Sequence, residues 1–106
     1  MNHVELSRRA ERDLRRIGPG PQLDPIVEAL EDLMRDPPLP DLDIKPLSGR
    51  PPWRRLRVGD YRVLFRPLTG SEMEQLRIRK RVIHRDGILV ERVVHRRDLE
   101  RAVGTL

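Results

Sequence analysis

Trp53-Arg54-Arg55-Leu56-Arg57-Val58-Gly59-Asp60-Tyr61-Arg62-Val63-Leu64-Phe65-Arg66 alternates apolar and charged side chains on both sides of Gly59-Asp60, a two-residue turn signal. The pattern predicts a β-hairpin. Residues flanking such a turn sit opposite each other and successive side chains alternate faces, so the pairing can be written down from the sequence. Val58 then faces Tyr61, Leu56 faces Val63 and Arg54 faces Phe65 on one side. On the other side Arg57 faces Arg62, Arg55 faces Leu64 and Trp53 faces Arg66. The first face is apolar enough to enter a core. The second carries four arginines, two of them directly opposed, an arrangement that costs about 0.2–1 kcal/mol per like-charge pair. An anionic partner would relieve it.

The hairpin contains every Trp, Tyr and Phe of a 106-residue chain, a length that reads as one domain over residues 1–106 with enough chain to fold without staples. Cysteine is absent, which removes disulfides, thiolate nucleophiles and zinc-thiolate sites. No apolar run approaches the roughly 20 residues of a membrane span, and the first residues lead straight into charged ones, so a soluble, cytoplasmic protein without membrane contact is expected. Twenty of the 22 basic residues are arginine, whose planar fork suits phosphate. The net charge of +5 is unevenly distributed: residues 1–21 carry +2, residues 22–43 carry −6 and residues 44–106 carry +9. A polyanion would be drawn to one side only.

Outward from the hairpin, His3–Leu6 is a short alternation that predicts an edge strand. Ser7 is a helix N-cap, Ala10, Leu14 and Ile17 recur at helical spacing, and Gly18 stops the helix; Arg8, Arg9, Arg12, Arg15 and Arg16 form its solvated face. After the connector Gly18-Pro19-Gly20-Pro21, Asp24 is expected to cap a second helix with Pro25 at its first position and Ile26, Ala29, Leu30, Leu33 and Met34 as its buried stripe. Pro37-Pro38 ends it. Leu39–Pro52 reads as irregular, with a turn at Leu47-Ser48-Gly49-Arg50. Beyond the break at Pro67–Ser71, a second hairpin is expected between Gln75–His84 and Ile88–Arg96 about Arg85-Asp86-Gly87-Ile88, although neither of its faces is cleanly apolar. Asp98–Val103 reads as a last helical turn or a loose tail. The element order implies an α+β fold: an N-terminal strand, then a two-helix antiparallel hairpin packed on one face of a twisted, mainly antiparallel sheet, with an extended second hairpin and the arginine face open.

These features resemble the RelE/ParE toxin superfamily of type II toxin–antitoxin systems. The likeness rests on the strand-helix-helix-sheet order, Lys45-Pro46-Leu47-Ser48-Gly49, the hairpin Leu56–Val63, and the ending Val94-His95-Arg96-Arg97-Asp98. In the RelE branch the resemblance implies a RelE-like fold and a ribosome-dependent endoribonuclease that cuts messenger RNA without a metal or cofactor and is neutralised by a cognate antitoxin. Arg62 matches the family's catalytic arginine, Arg55 and Arg57 match basic positions on the preceding strand, and Arg97 matches the basic position after the last strand. Arg66 and Arg96 add further phosphate-binding candidates. Two positions depart from the pattern. Arg55 stands where a RelE-type lysine would fall, and arginine holds phosphate but is a poor general base. Glu100 replaces a tyrosine. Residues 67–82 read as an insertion between the family's last two strands.

Metal-free RNA cleavage needs a base, an acid and cations for the developing charge. The arginines supply the cations, and His95, with His84 behind it, is the candidate proton carrier because histidine titrates near neutrality. Trp53 is a base-stacking candidate, or alternatively covers a sheet edge or meets the antitoxin. Tyr61 reads as packing. Scattered carboxylates and glycines point to no metal site and no phosphate loop. Two other readings fit the same residues: a ParE-like toxin that inhibits DNA gyrase by protein contact, and a basic binding domain without catalysis.

Overall fold

The computed structural model describes residues 2–35 and 41–106. Its elements are β1 (His3–Leu6), α1 (Arg8–Ile17), α2 (Leu23–Leu33), β2 (Ile44–Pro46), β3 (Arg54–Val58), β4 (Tyr61–Pro67), α3 (Gly70–Lys80) and β5 (Gly87–His95). A 3₁₀ turn over Arg96–Asp98 then leads into α4 (Leu99–Val103). The strands form one sheet in the order β1-β5-β4-β3-β2. β1 runs parallel to β5 and every other neighbouring pair is antiparallel. The α+β class and the mainly antiparallel sheet are as the sequence implies.

The β3–β4 hairpin has the register derived from its turn: Val58 opposite Tyr61, Arg57 opposite Arg62, Leu56 opposite Val63, Arg55 opposite Leu64 and Arg54 opposite Phe65. Gly59 adopts φ 58°, the left-handed region that glycine enters without a Cβ penalty. α1 begins where expected, because Ser7 Oγ accepts from the Ala10 N–H at 3.0 Å. It ends at Gly18, φ 73°, whose N–H reaches the Leu14 carbonyl at 3.0 Å. Ser7 also ties the helix to the sheet, donating from Oγ to the Glu91 carbonyl at 2.8 Å and from its N–H to the Val90 carbonyl at 2.9 Å.

Ala10 of α1 and Ile26, Ala29 and Leu33 of α2 meet Leu56, Val63, Phe65, Val90 and Val93 of the sheet in the main core. Fully burying a side chain such as Ile26 or Leu56 contributes about 1.5–3 kcal/mol. Leu30 and Met34 of the expected stripe are half-buried.

Three local expectations are corrected. α2 starts at Leu23 with Gln22 at its cap, not at Asp24: the Leu23 and Asp24 N–H groups both reach the Gly20 carbonyl, so the connector's own backbone caps the helix. Asp24 lies in the first turn, where a carboxylate still suits the helix dipole. The segment 39–52 is not wholly irregular, since Ile44–Pro46 pairs with β3. Pro37-Pro38 lies outside the described residues.

The largest correction concerns the second hairpin. Gln75–Lys80 is helical, and the partners of β5 are β4 and β1. α3 opens with a capping box in which Thr69 Oγ1 accepts from the Glu72 N–H at 3.1 Å and Glu72 Oε1 accepts from the Thr69 N–H at 2.9 Å. Residues with good helix propensity follow, Met73 is buried against the sheet, and Lys80 pairs with Glu5 on β1. The mixed facing of β5 has its own cause. A β-bulge places Leu64 opposite Arg92 but Phe65 opposite Val90, skipping Glu91. Val90 and Val93, of opposite parity in sequence, therefore enter the same core.

Candidate functional site

Arg55, Arg57 and Arg62 share the sheet face opposite α1 and α2, as alternation from the hairpin turn requires. That face is not fully open. Leu64 and Val94 are buried there beneath Ala102 of α4, with Leu47, Leu99, Val103 and Leu106 packed around them. The accessible basic patch is thus confined to the β2–β3–β4 part of the face.

Within it, Arg57 and Arg62 are directly opposed. Partial burial, and the like charges of Arg57, Arg55 and Arg96, push the Arg62 guanidinium below its ordinary value. Arg62 Nη1 donates to the carbonyls of Gly59 and Tyr61, each at 3.0 Å, which holds the side chain toward the turn. Neither Arg57 nor Arg62 forms an ion pair among the described residues. Arg55 lies 3.6 Å from Asp43, and its Nη1 is buried without a hydrogen-bond partner. Arg96 is exposed, 3.7 Å from Asp60. The carboxylates touching the patch are at its margins, while its centre is a cluster of guanidinium groups.

Lys45 shares this face, opposite Arg55 in the β2–β3 ladder. It lies within the Lys45–Gly49 segment that carries the resemblance, yet the expected irregular loop left it without a place in the sheet. Once Ile44–Pro46 is a strand, Lys45 is the one amine in a patch of guanidinium groups.

Other candidates are engaged by their own neighbours or stand apart from the centre of the patch. Arg66 is held by Glu72 through a two-point pair at 2.8 and 3.0 Å and lies 5.6 Å over the Trp53 ring. The pair raises the pKa of Arg66 and lowers that of Glu72 to about 2, with the Thr69 N–H contributing to the latter. Trp53 therefore stacks on Arg66, and that guanidinium is already occupied.

His95 does not reach the Arg62 face. Its register partner is Tyr61, whose ring it meets edge-on at 5.6 Å, so it points to the helix side of the sheet. Its Nδ1 accepts from the Arg97 N–H at 3.2 Å and thereby caps the 3₁₀ turn. Arg97 lines a cavity at the end of β5 with His95 and Tyr61, and Arg96 is the residue of the His-Arg-Arg ending that acts electrostatically on Arg62. His84 stacks on His3 with ring centroids 6.2 Å apart, and its Nδ1 is buried without a partner. Tyr61 donates to Gln22 Oε1 at 3.3 Å. Among the described residues no three His, Cys, Asp or Glu side chains are grouped to hold a metal ion, and no helix is long and apolar enough to cross a membrane.

The architecture has solved counterparts. A chain of the RelB–RelE antitoxin–toxin complex from Methanococcus jannaschii superposes with a TM-score of 0.64 at 24% identity, covering 93% of this chain and 98% of that one. An archaeal RelE–RelB complex from Pyrococcus horikoshii OT3 gives 0.60 at 19% identity, covering 90% and 94%. A copper-bound mutant toxin from Helicobacter pylori gives 0.62 at 16% identity, covering 93% and 99%. At these identities the likeness establishes the fold. No curated protein sequence matches the chain significantly. The model of the ParE toxin of the type II toxin–antitoxin system parDE matches residues 4–100, nearly the whole chain. The protein belongs to this family, and is a toxin of the RelE/ParE superfamily of type II toxin–antitoxin systems.

Proposed function

We propose that the toxin acts on RNA, as a metal-independent endoribonuclease on ribosome-bound messenger RNA. The observation that carries this reading is the opposed pair Arg57–Arg62 with Arg55 and Arg96 around it, cations that repel one another until a polyanion lies between them. Guanidinium forks grip phosphate oxygens at two points, and a cluster already assembled stabilises charge developing on a cleaving phosphate without reorganisation. Arg62 sits at the centre, while Arg57, Arg55 and Arg96 hold the flanking phosphates. Lys45, opposite Arg55 in the ladder, adds an amine beside these guanidinium groups as a further phosphate contact. His95 and Arg97 act from the strand end by fixing the turn that presents Arg96. A cognate antitoxin, the partner that the RelB–RelE neighbours carry, would silence the toxin by covering this patch.

Inducible expression in a bacterium with mapping of RNA 5′ ends tests the reading. Growth arrest with new ends inside codons is expected, and Arg62→Ala should abolish both while the protein stays folded. Arrest by an intact Arg62→Ala variant, or arrest without new ends, would overturn it.

A second reading, inhibition of DNA gyrase by protein contact, draws support from the ParE family match and from the histidines' absence beside Arg62. Here the patch is a protein-binding surface. The purified toxin would block gyrase supercoiling and leave ribosome-bound message whole.

A further inference from the structure

Along the free edge at the end of β5 lies a cavity of about 400 Å³ walled by α1, the β4–β5 ends, the 3₁₀ turn and α4, with Val94 and Ala102 of the arginine face also lining it. Pockets for small organic ligands span roughly 300–1,000 Å³. Three of its lining residues are arginines from three different elements: Arg16 of α1, Arg97 of the turn and Arg101 of α4. None of the three has an ion-pair partner among the described residues. A fourth, Arg92, is occupied by Asp13, which also accepts from the Val93 N–H. Asp98 is the remaining carboxylate, so the cavity carries a cation surplus. Its inner wall is aromatic, formed by Tyr61 and His95 edge to face, with the Gln22 amide against the Tyr61 hydroxyl.

We propose that this cavity binds a nucleoside monophosphate, its phosphate on Arg16, Arg97 and Arg101 and its base against Tyr61 and His95. The chemistry is complementary at each end. Unpaired guanidinium groups take a dianionic phosphate, and an aromatic corner with an amide beside it takes a flat heterocycle with polar edges. An acidic side chain would use the arginines and leave the aromatic wall idle. An apolar ligand would leave the charge uncompensated. The site goes beyond the proposed nuclease reading and does not depend on it, because neither Arg57 nor Arg62 lines the cavity.

Isothermal titration calorimetry of the purified full-length protein with adenosine 5′-monophosphate, adenosine and inorganic phosphate decides the matter. The monophosphate should bind at least tenfold more tightly than adenosine or phosphate alone. The exposed double substitution Arg16→Ala with Arg101→Ala should weaken it by tenfold or more at unchanged thermal stability, whereas Arg57→Ala should leave it as it is. Equal affinity for phosphate and nucleotide would reduce the site to an anion hole and overturn the proposal, as would no detectable nucleotide binding or loss of binding in Arg57→Ala alone. The titration involves neither ribosomes nor growth, so its outcome and that of the RNA-end experiment are read separately.

Discussion

Asp13 of α1 and Arg92 of β5 form a charged pair through Nε at 2.8 Å and Nη2 at 3.3 Å, and the same carboxylate accepts from the Val93 N–H at 2.9 Å. β1 pairs with β5 only as far as Val90, which leaves the edge of β5 beyond it without a strand neighbour. Asp13, 6% exposed, supplies the acceptor that a strand would have supplied. Asp13→Ala strands both a guanidinium and a buried N–H. It is expected to cost about 3–5 kcal/mol in urea unfolding, and Asp13→Asn less, since an amide oxygen still accepts. A loss below 1 kcal/mol for the alanine variant would contradict this role.

Arg57 and Arg62 oppose each other without a carboxylate between them, so the patch is held against its own repulsion. Arg57→Ala should raise stability by up to about 1 kcal/mol while weakening toxicity. Thermal melts and a growth assay on the same variant check both signs. A variant that is less stable and less toxic would point to a structural role for Arg57 instead.

Glu72 titrates at about 2 when folded, below the ordinary 4.5, because Arg66 and the Thr69 N–H favour its carboxylate. A depressed folded pKa stabilises the native state above the unfolded pKa. The contribution is lost as pH falls from about 4.5 to about 2. The carboxylate is partly exposed, so solvent screening holds the gain to about 1 kcal/mol or less. The stability difference between the wild type and Glu72→Gln should therefore be full at pH 6 and close to nothing at pH 2, as read by urea titrations across that range.

Gly87 starts β5 where a side chain has no room. A Cβ there would lie 2.9 Å from the His3 carbonyl oxygen, 2.9 Å from Leu68 Cδ1 and 3.1 Å from Met73 Sδ. The His3 contact is backbone and cannot swing aside. Gly87→Ala is expected to cost about 1–3 kcal/mol by forcing β1 and β5 apart. Gly104→Ala, whose nearest neighbour would be at 3.5 Å, serves as the tolerated control in the same thermal melts.

Leu64 is completely buried under α4 on the arginine face. Leu64→Ala should lose about 2–5 kcal/mol and loosen the C-terminal segment, making residues 99–106 sensitive to limited proteolysis. Uniform protease resistance would argue that α4 is held by other contacts.

Much of this fold was legible because the signals are local. Ser7, Gly18 and the Ala10-Leu14-Ile17 spacing act within one or two helical turns. The Thr69-x-x-Glu72 capping box is equally local, but the expected strand over Gln75–His84 rests on an apolar-polar alternation that helix and strand both accommodate. Asp13 carried no signal at all: a lone aspartate on an arginine-rich helix has no pattern that distinguishes it from a solvated one. Lys45 became a candidate only when its neighbours joined the sheet.

The sequence by itself determined the β3–β4 hairpin, its register and the opposition of Arg57 to Arg62, because a two-residue turn sets the pairing and alternation then assigns each side chain a face. It could not place the His-Arg-Arg ending. The face that His95 takes depends on how β5 docks on β4 across the intervening segment 68–86 and on a bulge at Glu91 that resets the alternation midway. Tertiary packing made that choice, burying Val90 and Val93 in one core, and in doing so turned His95 away from Arg62, toward Tyr61 and the arginine-lined cavity.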